Sequence, residues 1–292
     1  MFSNQAGPTF ARTVLLTVVA MLAFAANSLF GRFAMGEGLI DPASYAAVRT
    51  ISGAIALCLI AWPHWRARGR NPADWRIALM LFIYMIFFAL AYLTMSAGTG
   101  ALILFGAVQL TMFGAALRAG ERFTALSWVG LAAAVGGLVY LVSPGLAAPD
   151  PLGAALMAVS GIAWGFYSLL GKKAADPLDA TANAFIFSVP LVIVVGLFFI
   201  GDLRATTNGL LLAIASGAVT SACGYVIWYA ALAGLTAGRA ATVQLSVPAI
   251  AAVGGVLLLS EEVTLRLVLA SVATLGGVAV VLAQRRAKPR RI

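Results

Sequence analysis

The chain has 292 residues, of which 62% are hydrophobic and only 10% are charged, whereas soluble domains carry about 25% charged residues. A water-soluble globule of this composition would expose large apolar patches, so the sequence excludes a soluble domain and indicates a membrane protein. The net charge of +9 does not indicate nucleic-acid binding, because the basic residues lie between apolar segments and form no patterned basic face.

Ten apolar segments follow one another along the chain, and each is close to the ~20 residues that cross a hydrocarbon core about 30 Å thick. The predicted transmembrane helices cover residues 12–35, 43–62, 75–95, 98–117, 123–142, 152–171, 180–200, 207–230, 238–259 and 264–283. The boundary between the third and fourth segments, at Ser96–Gly98, is the least distinct. We therefore predict an all-α polytopic membrane protein with about ten transmembrane helices and no soluble domain.

The second half of the chain repeats the first at a constant offset of 140 residues. The clearest match joins Gly120–Gly137 to Ser260–Gly277, and the same offset holds without a gap through most of the first half. A match of this length is hard to attribute to composition alone. We predict a first five-helix repeat over 10–145, a second over 150–285 and a basic cytoplasmic tail over 286–292.

The positions of the basic residues predict how the chain crosses the membrane, since Lys and Arg collect on the cytoplasmic side. With the N-terminus inside, 15 of the 19 basic residues lie on the cytoplasmic side, and the outer side holds Arg32, Arg49, Arg204 and Arg266. Both termini are therefore expected in the cytoplasm. Arginine outnumbers lysine by 16 to three, which together with abundant alanine favours a bacterial protein, and the predicted location is the bacterial inner membrane.

Five crossings per repeat is an odd number, so the two repeats must cross the membrane in opposite directions. Such inverted repeats are typical of secondary transporters, in which the substrate binds near the middle of the membrane between the two halves. The expected partners are therefore a small-molecule substrate and the membrane lipid, and no nucleic acid is expected.

Aromatic and polar side chains recur on one face of several predicted helices, at spacings of three and four residues. The candidate substrate-binding residues are Asn27, Tyr84, Phe88, Gln109, Trp164, Tyr167, Ser168, Tyr225, Trp228 and Gln244. Buried Tyr, Trp and Gln side chains need a polar partner or cavity water, which favours a central cavity. The alternative is that these side chains only pack and hydrogen-bond neighbouring helices, as polar residues in membrane bundles do.

Two prolines inside predicted helices, Pro190 and Pro248, are candidate gating residues, because proline removes a backbone donor and kinks a helix. The carbonyl groups freed near Gln244 suit a substrate ammonium group, and Pro190 suits a hinge. A purely structural kink is the alternative at both positions. The fifth and tenth segments carry Gly-Gly pairs with an alanine four residues earlier, a spacing that allows close helix contact, and we interpret them as scaffold.

The middle of every predicted helix lacks Asp, Glu and His, and His64 is expected in a loop. Because proton-coupled exchangers use an intramembrane titratable group as a relay, a facilitative mechanism and a cavity without buried charge are expected. The same pattern offers no catalytic constellation, so no enzyme activity is expected and no cofactor or metal is predicted. Cys58 and Cys223 lie inside apolar segments without metal-site spacing and are expected to be buried.

Several of these features resemble the drug/metabolite transporter superfamily, in particular its EamA-domain family. The residues that carry the resemblance are Glu121 before the fifth segment, Glu261 and Glu262 before the tenth, the pairs Gly136-Gly137 and Gly276-Gly277, and Pro248. The first half departs from the family pattern at Val108, the counterpart of Pro248, so equal bending of the two halves is in doubt. The resemblance implies ten helices, with the first, third, fourth, sixth, eighth and ninth around a central cavity that works by alternating access. The chain is most similar to the YddG-type amino-acid exporters.

We therefore favour export of neutral, often aromatic, amino acids or similar small metabolites. Efflux of lipophilic cations is the alternative within transport, because aromatic faces attract cations, although a carboxylate at membrane depth is missing. A membrane scaffold or enzyme without transport function is the alternative from a different class. Substitution of Trp164 and Gln244 distinguishes these classes, since a scaffold would be indifferent to both changes.

Overall fold

The computed structural model describes residues 10–284 apart from 146, 202 and 236. Besides one isolated bridge between Ile40 and Ala205, the regular structure of these residues is helical. The helices are α1 (Phe10–Gly36), α2 (Pro42–Arg68), α3 (Trp75–Ala91), α4 (Ala97–Arg118), α5 (Ala125–Val142), α6 (Pro151–Gly171), α7 (Pro177–Phe198), α8 (Thr207–Leu232), α9 (Ala237–Gln244 and Ser246–Leu259) and α10 (Leu265–Ala283). The predicted tail 286–292 lies outside the described residues.

The composition of these helices fits a lipid environment. Within the described residues, nine helices are long and apolar enough to cross a membrane, and α3 is apolar but has only 17 residues. Large apolar side chains are exposed away from the core, for example Leu257 at 75% and Val272 at 68%. Contiguous exposure of this kind marks a surface that lipid covers. The prediction of an all-α polytopic membrane protein with about ten transmembrane helices is confirmed.

Each predicted segment coincides with one helix, although some boundaries differ. α3 ends at Ala91 and α4 begins at Ala97, so the least distinct predicted boundary is indeed a turn. α2 extends beyond its predicted end to Arg68 and contains Pro63. The prediction that His64 lies in a loop was wrong, because the helix continues through this proline.

Side-chain caps begin α5 and α10 at equivalent positions of the repeat. Thr124 accepts a hydrogen bond from the backbone N–H of Ser127 at 3.2 Å, and its counterpart Thr264 accepts one from Leu267 at 3.1 Å. These hydrogen bonds satisfy backbone donors that a helix start leaves unpaired. These two positions, 140 residues apart, therefore match in local structure as well as in sequence.

α5 and α10 pack closely through their glycines. A Cβ atom at Gly137 would lie 2.9 Å from the Cβ of Ala273, and one at Gly277 would lie 3.2 Å from the Cβ of Ala133. The two contacts exchange when each residue is replaced by its counterpart in the other repeat, as a pseudo-two-fold axis between the repeats requires. Only the second glycine of each pair makes this contact, since Gly136 faces open space.

α8 lies close to α2 along a π-helical stretch, Ala215–Cys223. Gly217 within this stretch has no room for a side chain, because a Cβ atom there would meet the carbonyl oxygen of Arg49. π-Helical turns are rare and frequently occur at functional sites. Here the stretch carries three hydroxyl side chains towards the centre of the bundle.

α9 is interrupted at Leu245, whereas its counterpart α4 is one continuous helix. Pro248 lies three residues after the interruption and cannot donate to the helical ladder, which explains the break. Val108 occupies the equivalent position of α4 and donates normally. The two repeats therefore differ at this position, since α9 is interrupted and α4 is not.

Candidate substrate-binding site

The centre of the bundle holds a cluster of aromatic rings around Trp164. The ring centroid of Trp164 lies 4.8 Å from that of Tyr84, 5.0 Å from those of Tyr167 and Tyr225, and 6.5 Å from that of Phe24. Phe24, Tyr84 and Trp164 each lie near the middle of their helices, α1, α3 and α6. Aromatic residues that are far apart in the sequence therefore meet at mid-depth of the bundle.

A narrow cavity lies beside this aromatic cluster. It is lined by Phe24, Asn27, Ser28, Tyr84, Phe88, Leu104, Phe105, Trp164 and Tyr225. Five of the predicted substrate-binding residues are among them: Asn27, Tyr84, Phe88, Trp164 and Tyr225. The walls come from α1, α3, α4, α6 and α8, so the described lining includes five of the six helices that the family resemblance implied and omits α9.

Asn27 is the acceptor of a buried hydroxyl network. Its Oδ1 accepts hydrogen bonds from Ser216 at 2.8 Å, Thr220 at 2.6 Å and Ser221 at 3.3 Å. All three hydroxyls come from the π-helical stretch of α8. The network therefore joins a helix of the first repeat to a helix of the second beside the cavity.

Arg49 places a positive charge behind the cavity wall. Its side chain is completely buried, and Nη2 donates to the Tyr84 hydroxyl at 2.8 Å and to Ser221 Oγ at 3.1 Å. The guanidinium also lies over the ring of Phe88, 4.7 Å from its centroid. Arg49 is thus in direct contact with two residues that line the cavity, Tyr84 and Phe88.

The expectation of a site without buried charge was wrong, because Arg49 is completely buried and contacts two residues of the cavity wall. Its assignment to the outer side stays a prediction. α2 begins at Pro42, so Arg49 lies about 10 Å along the helix from its first residue. Counting basic residues by loop assigns each one to the nearer helix end and takes no account of the face that it occupies. The signal was available in the sequence, because an ionisable residue within an apolar segment is a candidate functional residue by default.

Three other predicted residues surround the cluster without lining the cavity. Tyr167 donates to Thr181 of α7 at 3.3 Å, and Trp228 packs edge-on against Phe24 with 5.9 Å between centroids. Ser168 donates to a carbonyl one turn earlier in its own helix at 2.8 Å. The hydroxyl groups of Tyr167 and Ser168 are therefore already engaged within the protein.

The predicted glutamines and prolines lie further from the cluster. Gln109 is buried in α4, and its Nε2 has no hydrogen-bond partner among the described residues. Gln244 is half-buried and ends the first part of α9. In an unbroken helix its carbonyl would accept a hydrogen bond from the backbone N–H of residue 248, which Pro248 lacks. Pro248 is buried, whereas Pro190 is exposed within an unbroken α7.

The two ends of the bundle differ at equivalent residues, and we name them after Glu261 and Glu121. At the Glu261 end, this carboxylate accepts a hydrogen bond from the backbone N–H of Ala97 at 2.9 Å and one from Arg32 at 3.1 Å. Ala97 begins α4, so the carboxylate also interacts favourably with the helix dipole. At the Glu121 end, the counterparts Glu121 and Lys172 are both exposed.

A second polar cluster joins α2 to α7 at the Glu121 end. Asp179 is completely buried and accepts hydrogen bonds from the indole of Trp65 and from the backbone and side chain of Asn71. His64 Nε2 lies 3.0 Å from Asp176, which also caps α7. The ligand atoms of His64, Asp176 and Asp179 lie within 4.8 Å of one another. Because N–H donors already occupy both oxygens of Asp179, this cluster serves as an interhelical link and we assign it no metal.

Comparisons with known proteins agree with this architecture. The model of the EamA-like transporter family matches residues 11–143 and 151–283. An uncharacterised protein of Pseudomonas aeruginosa is 48% identical over 282 residues, which cover 96% of this chain and 98% of that protein. An uncharacterised transporter of Archaeoglobus fulgidus is 30% identical over 211 residues, which cover 70% of this chain and 74% of that protein.

A solved crystal structure shares the fold, with a TM-score of 0.66 and 16% identity over 96% of this chain and 100% of the other. The two family matches together span most of the chain, one in each half. The chain therefore belongs to the EamA-like transporter family of the drug/metabolite transporter superfamily and is a multi-pass membrane transporter.

Proposed function

We propose that this transporter exports neutral, often aromatic, amino acids or similar small metabolites across the bacterial inner membrane. The observation that carries the proposal is the central cavity, whose wall combines the rings of Trp164 and Tyr84 with the amide of Asn27. Aromatic walls suit a flat apolar side chain, and a few polar groups fix the orientation of its ionic end. The resemblance to YddG-type exporters is consistent with the same substrate class.

Transport proceeds in this proposal by alternating access, in which the two inverted repeats exchange conformations. With both termini in the cytoplasm, the Glu261 end faces outside, and the contact between Glu261 and Ala97 closes the outer entrance. In the opposite state, Glu121 takes the equivalent role at the cytoplasmic entrance. The interrupted α9 and the continuous α4 support this account, because the exchange needs two repeats of different shape.

The proposed mechanism is facilitative, because no carboxylate and no histidine is among the described residues that line the cavity. Arg49 is the buried ionisable group behind the wall, and arginine stays protonated at physiological pH and cannot relay a proton. A pH gradient without a substrate gradient is therefore expected to drive no net flux. Substrate flux under that condition would contradict the facilitative mechanism.

The proposal is tested by uptake of radiolabelled phenylalanine, threonine and related neutral amino acids into proteoliposomes. Trp164→Ala, which removes a ring from the cavity wall, is expected to abolish flux in protein that still purifies as a monodisperse species. Gln244→Ala tests the predicted contribution of α9 to the site. Trp75→Ala is the control, because Trp75 is 68% exposed at the start of α3 and should retain flux. No uptake above empty vesicles for any amino acid would remove the proposal and favour a scaffold, and full flux in the Trp164→Ala variant would refute the role of the cavity.

Efflux of lipophilic cations has weaker support. The fixed charge behind the cavity wall is positive, so it repels a cation that enters. The rings of Tyr84 and Phe88 already interact with this guanidinium, 5.2 and 4.7 Å from their centroids. A cationic substrate would compete with Arg49 for the same aromatic faces.

A further inference from the structure

We propose that Arg49 is the anion receptor of this transporter and that its substrates carry a carboxylate next to an apolar or aromatic body. This inference rests on the central cavity as the binding site of the proposed function. It adds the chemical group that the site selects, which the aromatic residues alone do not specify.

The first argument is the missing counter-charge of Arg49. The side chain is 0% exposed, and its partners are the hydroxyl groups of Tyr84 and Ser221 and the faces of two rings. In the part of the chain that the structure describes, no ion pair joins Arg49 to an acidic side chain. Burial of an unpaired charge is strongly unfavourable. A substrate anion would supply the counter-charge.

The second argument is a shortage of hydrogen-bond acceptors around the guanidinium. Arg49 Nη1 is buried and has no hydrogen-bond partner among the described residues. The buried hydroxyl groups of Tyr45 and Tyr225 lie near those of Ser216 and Tyr84 but make no hydrogen bond of normal geometry with the described residues. Both tyrosines lie close enough to Arg49 to interact with it electrostatically. A carboxylate is acceptor-only, offers about four lone pairs and matches the planar fork of arginine. One carboxylate therefore provides what these three donors lack.

The third argument is the position of this donor group relative to the aromatic cluster. Tyr84 and Tyr225 line the cavity, and their ring centroids lie 4.8 and 5.0 Å from that of Trp164. An oxyanion that reaches Arg49 therefore leaves the rest of its molecule against the rings of Trp164 and Phe24. The arrangement selects a carboxylate attached to an apolar body, and the positive charge disfavours an amine that lacks a carboxylate.

The test compares three ligands of the same ring and chain length: phenylalanine, 3-phenylpropionate and phenethylamine. Their binding to purified wild-type protein in nanodiscs is followed by intrinsic tryptophan fluorescence, since Trp164 lies in the site. We expect the two carboxylates to bind and phenethylamine to bind at least tenfold more weakly. Equal binding of all three, preference for phenethylamine, or no binding of either carboxylate would overturn the inference.

Substitution assigns the discrimination to Arg49. Arg49→Gln should remove the preference for carboxylates, Arg49→Lys should retain part of it, and Arg76→Gln, at an exposed site bonded to Asp74, should leave it unchanged. A full carboxylate preference in folded Arg49→Gln protein would overturn the assignment. If neither Arg49 variant folds, the ligand comparison on wild-type protein decides. Carboxylate binding without transport would refute the proposed function alone, whereas equal transport of phenylalanine and phenethylamine would refute the inference alone.

Discussion

Replacement of Gly137 by alanine perturbs one of the close contacts between α5 and α10. The new Cβ would lie 2.5 Å from Thr274 Oγ1 and 2.9 Å from the carbonyl oxygen of Ala270, well inside the optimal separation of roughly 3.5 Å. The carbonyl belongs to helix backbone, and Thr274 is completely buried. The carbonyl cannot move without its helix, so α5 and α10 must separate.

Gly136→Ala is the matched control, because a Cβ atom at Gly136 would meet nothing within 4 Å. Alanine gains about 1 kcal/mol of helix propensity over glycine at either position, so this gain cancels between the two variants. Overpacking costs about 1–3 kcal/mol, which is the expected difference in the free energy of unfolding. At roughly 2–4 °C per kcal/mol, Gly137→Ala should melt several degrees below Gly136→Ala.

The apparent melting temperatures are measured by tryptophan fluorescence during heating of the purified proteins in one detergent at one protein concentration. The expected order is Gly136→Ala above wild type and Gly137→Ala below Gly136→Ala. Equal melting temperatures for the two variants, or a higher value for Gly137→Ala, would refute the glycine contact that relates the two repeats.

Three further predictions concern carboxylates at the helix ends. Glu261→Gln weakens the cap on Ala97 and should destabilise the protein by about 1–2 kcal/mol. Glu121→Gln should change stability by less than about 0.5 kcal/mol. Equal shifts of the melting temperature in the two variants would refute the asymmetry of the two ends. Asp179→Asn turns an amide N–H₂ towards existing donors and should cost about 1–3 kcal/mol, so an unchanged melting temperature would contradict the link to α7. Burial raises the pKa of Asp41, but hydrogen bonds from the Ser44 side chain and from backbone N–H groups outweigh it and lower the pKa overall. Because the folded pKa lies below the unfolded value of about 3.9, this stabilisation is present above that pH and is lost as the pH falls through the folded pKa. Acidification from pH 6 to pH 3 should therefore lower the melting temperature of wild type more than that of Asp41→Asn. Equal losses in the two proteins would refute the assignment.

The helices were predictable because length and hydropathy alone determine which segments a bilayer accepts. The interruption of α9 was predictable as well, since Pro248 removes a donor wherever its side chain points. Which glycine of a pair makes the contact was not predictable, because Gly136 and Gly137 differ only in the face that they occupy. That face depends on how the neighbouring helix is rotated, which no local pattern encodes.

The aromatic residues of the candidate site were predicted from the sequence, whereas its charge was overlooked. Trp164 and Tyr84 were found because aromatic side chains at mid-helix are unusual enough to be noticed one helix at a time. Arg49 was missed because its position near a helix start resembles that of an ordinary flanking arginine, and only the packing of α2 against α3 and α8 buries it. The role of Trp65 depends on packing in the same way, because its indole donates to Asp179 of the second repeat.

The cysteines show a smaller difference between expectation and structure. Cys58 and Cys223 were expected to be buried, and both are only partly buried. Both lie within helices that are apolar enough to cross a membrane. Burial within the protein and burial within the membrane cannot be separated by hydropathy, which measures only their sum.

The central claim, a carrier that alternates access to one cavity, is tested most directly by counterflow. Proteoliposomes are loaded with unlabelled phenylalanine and diluted into a trace of labelled phenylalanine. The account predicts a transient accumulation of label above equilibrium that folded Trp164→Ala protein does not produce and Trp75→Ala protein does. Label that only equilibrates, or no accumulation above protein-free vesicles for any neutral amino acid tested this way, would contradict it.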